Sequence, residues 1–434
     1  MTIASTVSER DAASPPVMPR LLAGVAGDDL PSTLAEHLDV YGPLSPGGSI
    51  DLPALVEASG LRGRGGAGFP TGAKLRAVAS RRGRPVVVAN GAEGEPVSGK
   101  DKVLVRYVPH LVLDGAAAAA RALGAREAIV AVSRSDSAGL DAIAAAINER
   151  RSRRLDDRVR LRAVAVPDGF VAGDETALVH FLNRGVAKPT FTPPLPFERG
   201  IGRAPTLVQN VETLAHLALI ARFGPDWFRA VGTAEEPGSA LVTISGAIAK
   251  PGVYEVALGT PLRDLLDQAG GVTEHVRAFL VGGYFGSWLE SSDAADASLL
   301  EADLRPRGAR LGARAIVLLP QSACGICETA RVVRYLADSS AGQCGPCVHG
   351  LDAIARAFDR LARHESRDER EQVARWVAQV RGRGACRHPD GAAAFAASAL
   401  EVFAEEAEQH VRGRCPGYGQ PVLPAPKLDA RSGR

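Results

Sequence analysis

The chain has 434 residues, room for about two to four domains with buried cores. Hydrophobic residues make up 46% and charged ones 23%, ordinary globular proportions that exclude wholesale disorder, collagen-like repeats and a coiled-coil rod. With 51 Lys and Arg against 49 Asp and Glu, the formal charge is +2 and leaves no footprint of a dedicated nucleic-acid binder, so no nucleic-acid partner is expected.

Residues 1–20, rich in Ser, Ala, Thr and Pro, read as a mobile tail, and Glu9, Asp11, Pro15 and Pro16 do not fit a secretory signal. A short helix at 53–59 runs into a glycine-dense loop at 60–72. Strands at 85–90, 127–133 and 159–166 then alternate with helices at 102–123 and 139–150, the rhythm of a mainly parallel sheet covered by helices. The alanine-rich run 111–123 carries Asp114 and Arg121 and is shorter than the roughly 18 apolar residues of a membrane span. No transmembrane segment is expected. The expected location is the cytoplasm, with a peripheral place on a membrane complex left open.

A loop at 167–174 opens a helix at 175–182, and after a proline-rich crossing (189–196) another helix runs 211–223. Strand-like alternation at 239–248 and 253–258, a helix at 261–268 and a strand at 279–281 form a compact β-rich unit. Four amphipathic segments, 328–336, 351–363, 370–380 and 392–410, then predict a helical bundle. All six cysteines lie in this last region.

Three loops carry the chemistry. GLRGRGGAGFPTGAK, from Gly60 to Lys74, packs six glycines into its first thirteen positions, so bare backbone can approach a flat or phosphorylated ligand beside a helix start. A flexible surface loop is the plain alternative, against which Phe69-Pro70 argues for a fixed shape. NGAEGEP, from Asn90 to Pro96, leaves the carboxyl end of a strand, where parallel sheets hold ligands. In DGFVAGDETAL the carboxylates at the helix start either face a ligand or simply cap the helix.

Together with PTLVQNVETL, these stretches resemble the flavin- and NADH-binding subunit of respiratory NADH dehydrogenase (complex I) and its relatives in NAD-dependent hydrogenases and formate dehydrogenases. The likeness runs from about Ser59 to His410. It implies an α/β fold class: a Rossmann-like FMN-binding domain (21–235), a small ubiquitin-like β-grasp (SLBB) domain (236–313), a helical bundle with a 4Fe–4S cluster (314–415) and a tail (416–434). Carried over by motif, Gly63, Arg64, Gly65 and Lys74 lie along FMN, with Lys74 at its phosphate. Asn90 and Glu93 border the ring, Gly173, Asp174 and Glu175 sit near the nicotinamide, and Asn210 and Thr213 take the phosphate end. Phe69 stacks on adenine and Glu95 hydrogen-bonds the dinucleotide, with Glu95 and Glu175 as the catalytic pair.

The implied activity is transfer of a hydride from NAD(P)H to FMN and of single electrons through the cluster to an iron–sulfur acceptor protein, a ferredoxin or thioredoxin-like subunit. The chain departs from the family pattern at Ala77, Ala92, Phe170, Asp174, Thr192 and Leu195, and these departures keep open a relay or scaffold subunit with a degenerate NADH site. Cys344, Cys347 and Cys386 match three of the family's four cluster ligands, and Ala341 occupies the fourth position. Cys324 is the expected replacement, with Cys327 and Cys415 as alternatives. The spacing of Cys324, Cys327, Cys344 and Cys347 also permits a four-thiolate zinc site. His349 and His388 are read as surface or capping residues.

Overall fold

The computed structural model describes residues 2–3, 18–25, 30–44, 51–156, 158–365, 369–417 and 419–426. Four parallel strands form the first sheet, in the order Arg160–Val166, Glu127–Ser133, Val86–Gly91, Thr206–Asn210. Parallel neighbours need long crossovers, and helices supply them. The helix expected over 102–123 is two helices, Lys100–Tyr107 and Pro109–Leu123, bent by 94°. Pro109 starts the second one, where its missing N–H costs nothing. Both are largely buried, and among the described residues no single helix is long and apolar enough to cross a membrane.

Thr206–Asn210, inside the PTLVQN motif, is a strand rather than part of the following helix, Val211–Arg229. Its register sets Asn210 opposite Asn90 at the carboxyl end of the sheet. Two side-chain amides therefore stand side by side where a ligand is expected.

The second sheet is mixed: Thr2–Ile3, Gly252–Ala257, Ser239–Gly246, Ala315–Pro320, Val276–Val281, Ser287–Glu290, with the helix Leu262–Gln268 beside it. Its central strand, Ala315–Pro320, runs parallel to Ser239–Gly246 and antiparallel to Val276–Val281. The boundary expected at 313/314 therefore falls one strand too early. The strand's apolar run, AIVLLP, is buried throughout and gives no alternation that would announce it.

The bundle consists of Gly325–Asp338, Leu351–Ala362, Glu369–Val380, His388–Val402 and Ala404–Val411. The helix expected over 392–410 begins earlier, at His388, and breaks at Phe403. Of the two expected tails, residues 1, 4–17, 418 and 427–434 lie outside the described residues. The remainder is anchored. Thr2–Ile3 pairs with Gly252–Val253. Buried Arg20 donates to the carbonyls of Trp227 and Phe228, and the Glu255 carboxylate accepts the N–H groups of Arg20, Leu21 and Leu22 at 2.8, 2.8 and 3.1 Å. At the other end Leu423 is buried and donates its N–H to Glu328.

A polar seam joins the first two domains. Glu212, fully buried, accepts the Leu241 N–H at 2.9 Å and pairs with Lys100 at 3.0 Å. Arg64 reaches the Ser239 carbonyl at 3.0 Å, while Arg314 of the second domain donates to the Arg64 carbonyl at 2.8 Å. Desolvation and the adjacent Arg314 push Arg64 down to about 9, and Glu212 opposes that shift. Removing one partner strands the cations around it. Glu212→Leu is expected to destabilise the protein by about 3–5 kcal/mol, read as an earlier urea midpoint by tryptophan fluorescence; an unchanged midpoint would mean the seam contributes no stability.

Candidate functional site

At the carboxyl end of the parallel sheet lies a cavity of about 1010 Å³, large enough for a flavin nucleotide. Its floor is the glycine loop, with Gly63, Gly65, Gly66 and Gly68. The strand-end residues Asn90, Glu93, Glu95, Gly173, Asp174, Glu175 and Asn210 form one wall. The second domain contributes Phe285 and Arg310, and the bundle contributes Arg387 and Asp390. Bare glycine backbone at the floor lets a planar ligand lie against N–H groups, so the residues present fit FMN.

The amides are held in place. Asn90 donates its side-chain N–H to the Gly173 carbonyl at 2.8 Å, which ties two loops together. Those loops approach so closely that a Cβ on Gly173 would lie 2.6 Å from the Ala92 carbonyl oxygen. Asn210 caps the helix Val211–Arg229, accepting the Glu212 N–H at 3.0 Å, and donates to Asp101 at 2.7 Å. Asp174 likewise caps Glu175–Arg184, accepting from Thr176 and Ala177, so its carboxylate both caps the helix and borders the cavity.

Lys74 and Glu175 meet at 2.6 Å. The resemblance sends them to different parts of the ligand, but here they form one pair on one wall. Phe69 lies exposed at the rim. Two expected residues are not at the cavity. Arg64 turns its side chain into the seam, and Thr213, also buried, accepts the Arg64 N–H at 2.8 Å. Both therefore set the shape of the loop and do not line the site.

Burial dominates the carboxylates. Desolvation raises Glu93, with Asp101 adding to the shift, while Ser98 donates to it. Glu95 is pushed up to about 8 by desolvation, although the Tyr284 and Val97 N–H groups bond to it at 2.9 and 3.5 Å. Lys100 and Asp101 line the cavity as well, paired at 2.6 Å, and sequence reasoning missed them because they lie outside the loop motifs, just ahead of the helix expected at 102–123. Arg305, Arg310 and Arg387 were missed for a different reason: they lie far from the motifs in sequence and reach the cavity only through the packing of the three domains.

Cys344, Cys347 and Cys386 converge. Desolvation and the neighbouring Cys344 push the Cys347 thiol up to about 12, with Cys386 contributing; desolvation also raises Cys386, with Asp174 and Cys344 adding to it. Three thiols so placed fit three corners of a cluster, and buried Ala341 stands at the position where the family has its fourth. Cys324 does not fill that corner. It caps the N-terminus of Gly325–Asp338, whose fourteen residues span about 21 Å at about 1.5 Å each. The trio gathers at the other end, where His388, two residues past Cys386, bonds the Leu336 carbonyl at 2.7 Å. Cys324 instead meets Cys327, His410 and Cys415, with all four ligand atoms within 4.8 Å of one another. A zinc set made of Cys324, Cys327, Cys344 and Cys347 is excluded by the same helix length. His388 is buried, not a surface residue, whereas His349 is exposed.

Three family models match the chain in order: the Nuo51 FMN-binding domain over residues 56–219, the SLBB domain over 241–283, and the NADH-ubiquinone oxidoreductase-F iron–sulfur binding region over 321–410. An F-type subunit of NADH-quinone oxidoreductase in Rhizobium meliloti (strain 1021) is 32% identical over 382 residues, covering 84% of this chain and 90% of that protein. Its counterpart in Streptomyces coelicolor is 32% identical over 378 residues, 84% of each chain. Among solved structures, an NAD+-reducing [NiFe]-hydrogenase superposes with TM-scores of 0.76 in the air-oxidized state and 0.77 in the H2-reduced state, at 28% and 30% identity over 85% and 87% of this chain. The chain spans 63% and 65% of those longer hydrogenase chains. With an FMN-binding domain, an SLBB domain and a 4Fe–4S-binding region in that order, the chain belongs to the family of F-type subunits of NADH-quinone oxidoreductase.

Proposed function

We propose that this chain oxidises NADH at an FMN held in the 1010 Å³ cavity and delivers the electrons singly, through the site at Cys344, Cys347 and Cys386, to a partner iron–sulfur protein. The observation that carries this reading is a shared wall. Arg387 and Asp390, just beyond Cys386, line the same cavity as Gly63 and Asn90, and Asp174 of that cavity acts on the Cys386 thiol. Bound there, FMN supplies acceptance of a hydride as an electron pair and its release one electron at a time, and a 4Fe–4S cluster supplies single-electron relay.

The protein's part is holding and orienting. Asn90 and Asn210 present amides at one register, and Lys74 offers an ammonium to a ligand phosphate in exchange for Glu175. Phe69 offers an exposed ring at the rim for the adenine of a dinucleotide. Glu95, neutral below about pH 8, donates its carboxyl proton to a dinucleotide oxygen in a cavity where an anion would repel phosphate. Around Cys344 the exposed Gly342, Gln343, Val348 and His349 provide the exit surface towards a ferredoxin or thioredoxin-like subunit.

A relay subunit closed to NADH is the second reading. Phe170 favours it: the ring packs on Phe285 and His388, with centroids 4.6 and 5.6 Å away, and is held among them. Stopped-flow mixing of anaerobic protein with NADH separates the two. The flavin absorbance should bleach and the cluster signal should follow; no bleaching in large excess of NADH leaves only the relay.

Glu95 has a folded pKa above its ordinary carboxyl value, so it is protonated in the folded state up to about pH 8 and ionises as the pH rises past that point. NADH affinity should fall across this range, and Glu95→Gln should flatten the profile; a profile of the same shape in the variant removes Glu95 from the dinucleotide site. A cluster held by three thiolates should also be labile. Ala341→Cys should retain more iron and a stronger EPR signal after exposure to air than the parent protein, and equal loss would place the fourth ligand elsewhere.

A further inference from the structure

Away from the cavity, at the start of the first bundle helix, Cys324, Cys327, His410 and Cys415 gather into one knot. The Cys324 sulfur lies 3.2 Å from His410 Nε2, the Cys327 sulfur 4.0 Å from the same nitrogen, and the Cys327 and Cys415 sulfurs 3.8 Å apart. Sulfur and nitrogen ligands at about 2.3 and 2.0–2.1 Å from a tetrahedral zinc ion stand about 3.8 Å (S to S) and about 3.6 Å (S to N) from one another. The three distances bracket these values, and all four ligand atoms lie within 4.8 Å of one another, close enough to share one ion. A 4Fe–4S cluster gives each thiolate its own iron and so spreads the sulfurs further apart than ligands of a shared ion.

We infer that Cys324, Cys327, His410 and Cys415 bind a single structural zinc ion, separate from the iron–sulfur site. Local structure builds the site from three directions. Cys324 caps the helix and accepts the Cys327 N–H at 3.5 Å, which aligns two thiols one turn apart. The His410 ring stacks on His364, with centroids 4.6 Å apart and planes at 21°, so its orientation is fixed. Beyond it the chain turns at Gly413, with φ of +76°, and brings Cys415 back. The returning backbone passes so close that a Cβ on Gly417 would lie 2.5 Å from the Cys324 nitrogen. Glu406 ties the same elements by accepting the Gly325 N–H at 2.8 Å.

All four positions are protein ligands, which leaves no open site for water or substrate; this is the signature of a structural ion. Its task is to fasten the final helix, Ala404–Val411, and the returning segment to the head of the bundle. Binding requires the thiols to lose their protons, so the ion should be released in acid.

The test is metal analysis of the anaerobically purified full chain and its variants, with X-ray absorption at the zinc edge. About one zinc per chain is expected, with three sulfur neighbours and one nitrogen. Cys415→Ser and His410→Ala should lose zinc and keep flavin and iron, Cys415→His should retain zinc, and Cys344→Ser should lose iron and keep zinc. If a ligand variant fails to fold, the absorption spectrum of the parent protein still decides. Absence of zinc from the parent, zinc unaffected by both ligand variants, a Cys327–Cys415 disulfide, or iron that disappears with Cys415 would each overturn the assignment. None of these outcomes bears on whether FMN and NADH react in the cavity.

Discussion

The placement of Arg64 constrains the rest of the molecule. Its main chain belongs to the loop that floors the cavity, while its side chain lies buried in the seam with the second domain, between the Ser239 carbonyl and the neighbourhood of Glu212 and Arg314. A guanidinium in so dry a place is costly unless an anion and carbonyl oxygens surround it. Glu212 supplies the anion and also binds Lys100, which lines the cavity. The shape of the ligand loop and the docking of the second domain are thus settled by one set of charges.

That coupling explains how a site can be built where three domains meet. The parallel sheet contributes Asn90 and Asn210 at adjacent strand ends, which is a consequence of register alone. The second domain adds Arg305, Arg310 and Phe285, and the bundle adds Arg387. Loops at strand ends tolerate such specialisation because the sheet beneath them is rigid and apolar, with Val87, Val88, Ala89, Ile129 and Val130 fully buried. The thiol trio then takes its place beyond the same wall, where Asp174 of the cavity acts on the Cys386 thiol.

What the sequence disclosed and what it concealed divide along physical lines. The amphipathic bundle helices follow from periodicity, and Glu127–Ser133 from a short apolar run rich in β-branched residues; both are local properties. The three loop motifs and the strand end at Asn210 converge by topology, and most of their expected residues line the cavity. Arg64 and Thr213 belong to the same motifs but turn inward, because a motif records which residues occur and not which way they face. Cys324 misled for a similar reason. Seventeen positions from Ala341 is a short sequence distance, but a straight helix fills most of it and keeps the two ends apart. His410 and Cys415, 86 and 91 positions from Cys324, have no local signal at all; only the break at Phe403 and the turn at Gly413 bring them home.

Tyr284 has two attachments. Its hydroxyl donates to the Pro424 carbonyl at 2.5 Å, and its backbone N–H holds the Glu95 carboxyl at the cavity wall. Residues 419–426, fastened at Leu423 to Glu328, are therefore joined through this single aromatic residue to a carboxyl group of the cavity wall, so the far end of the described chain and the cavity share one brace.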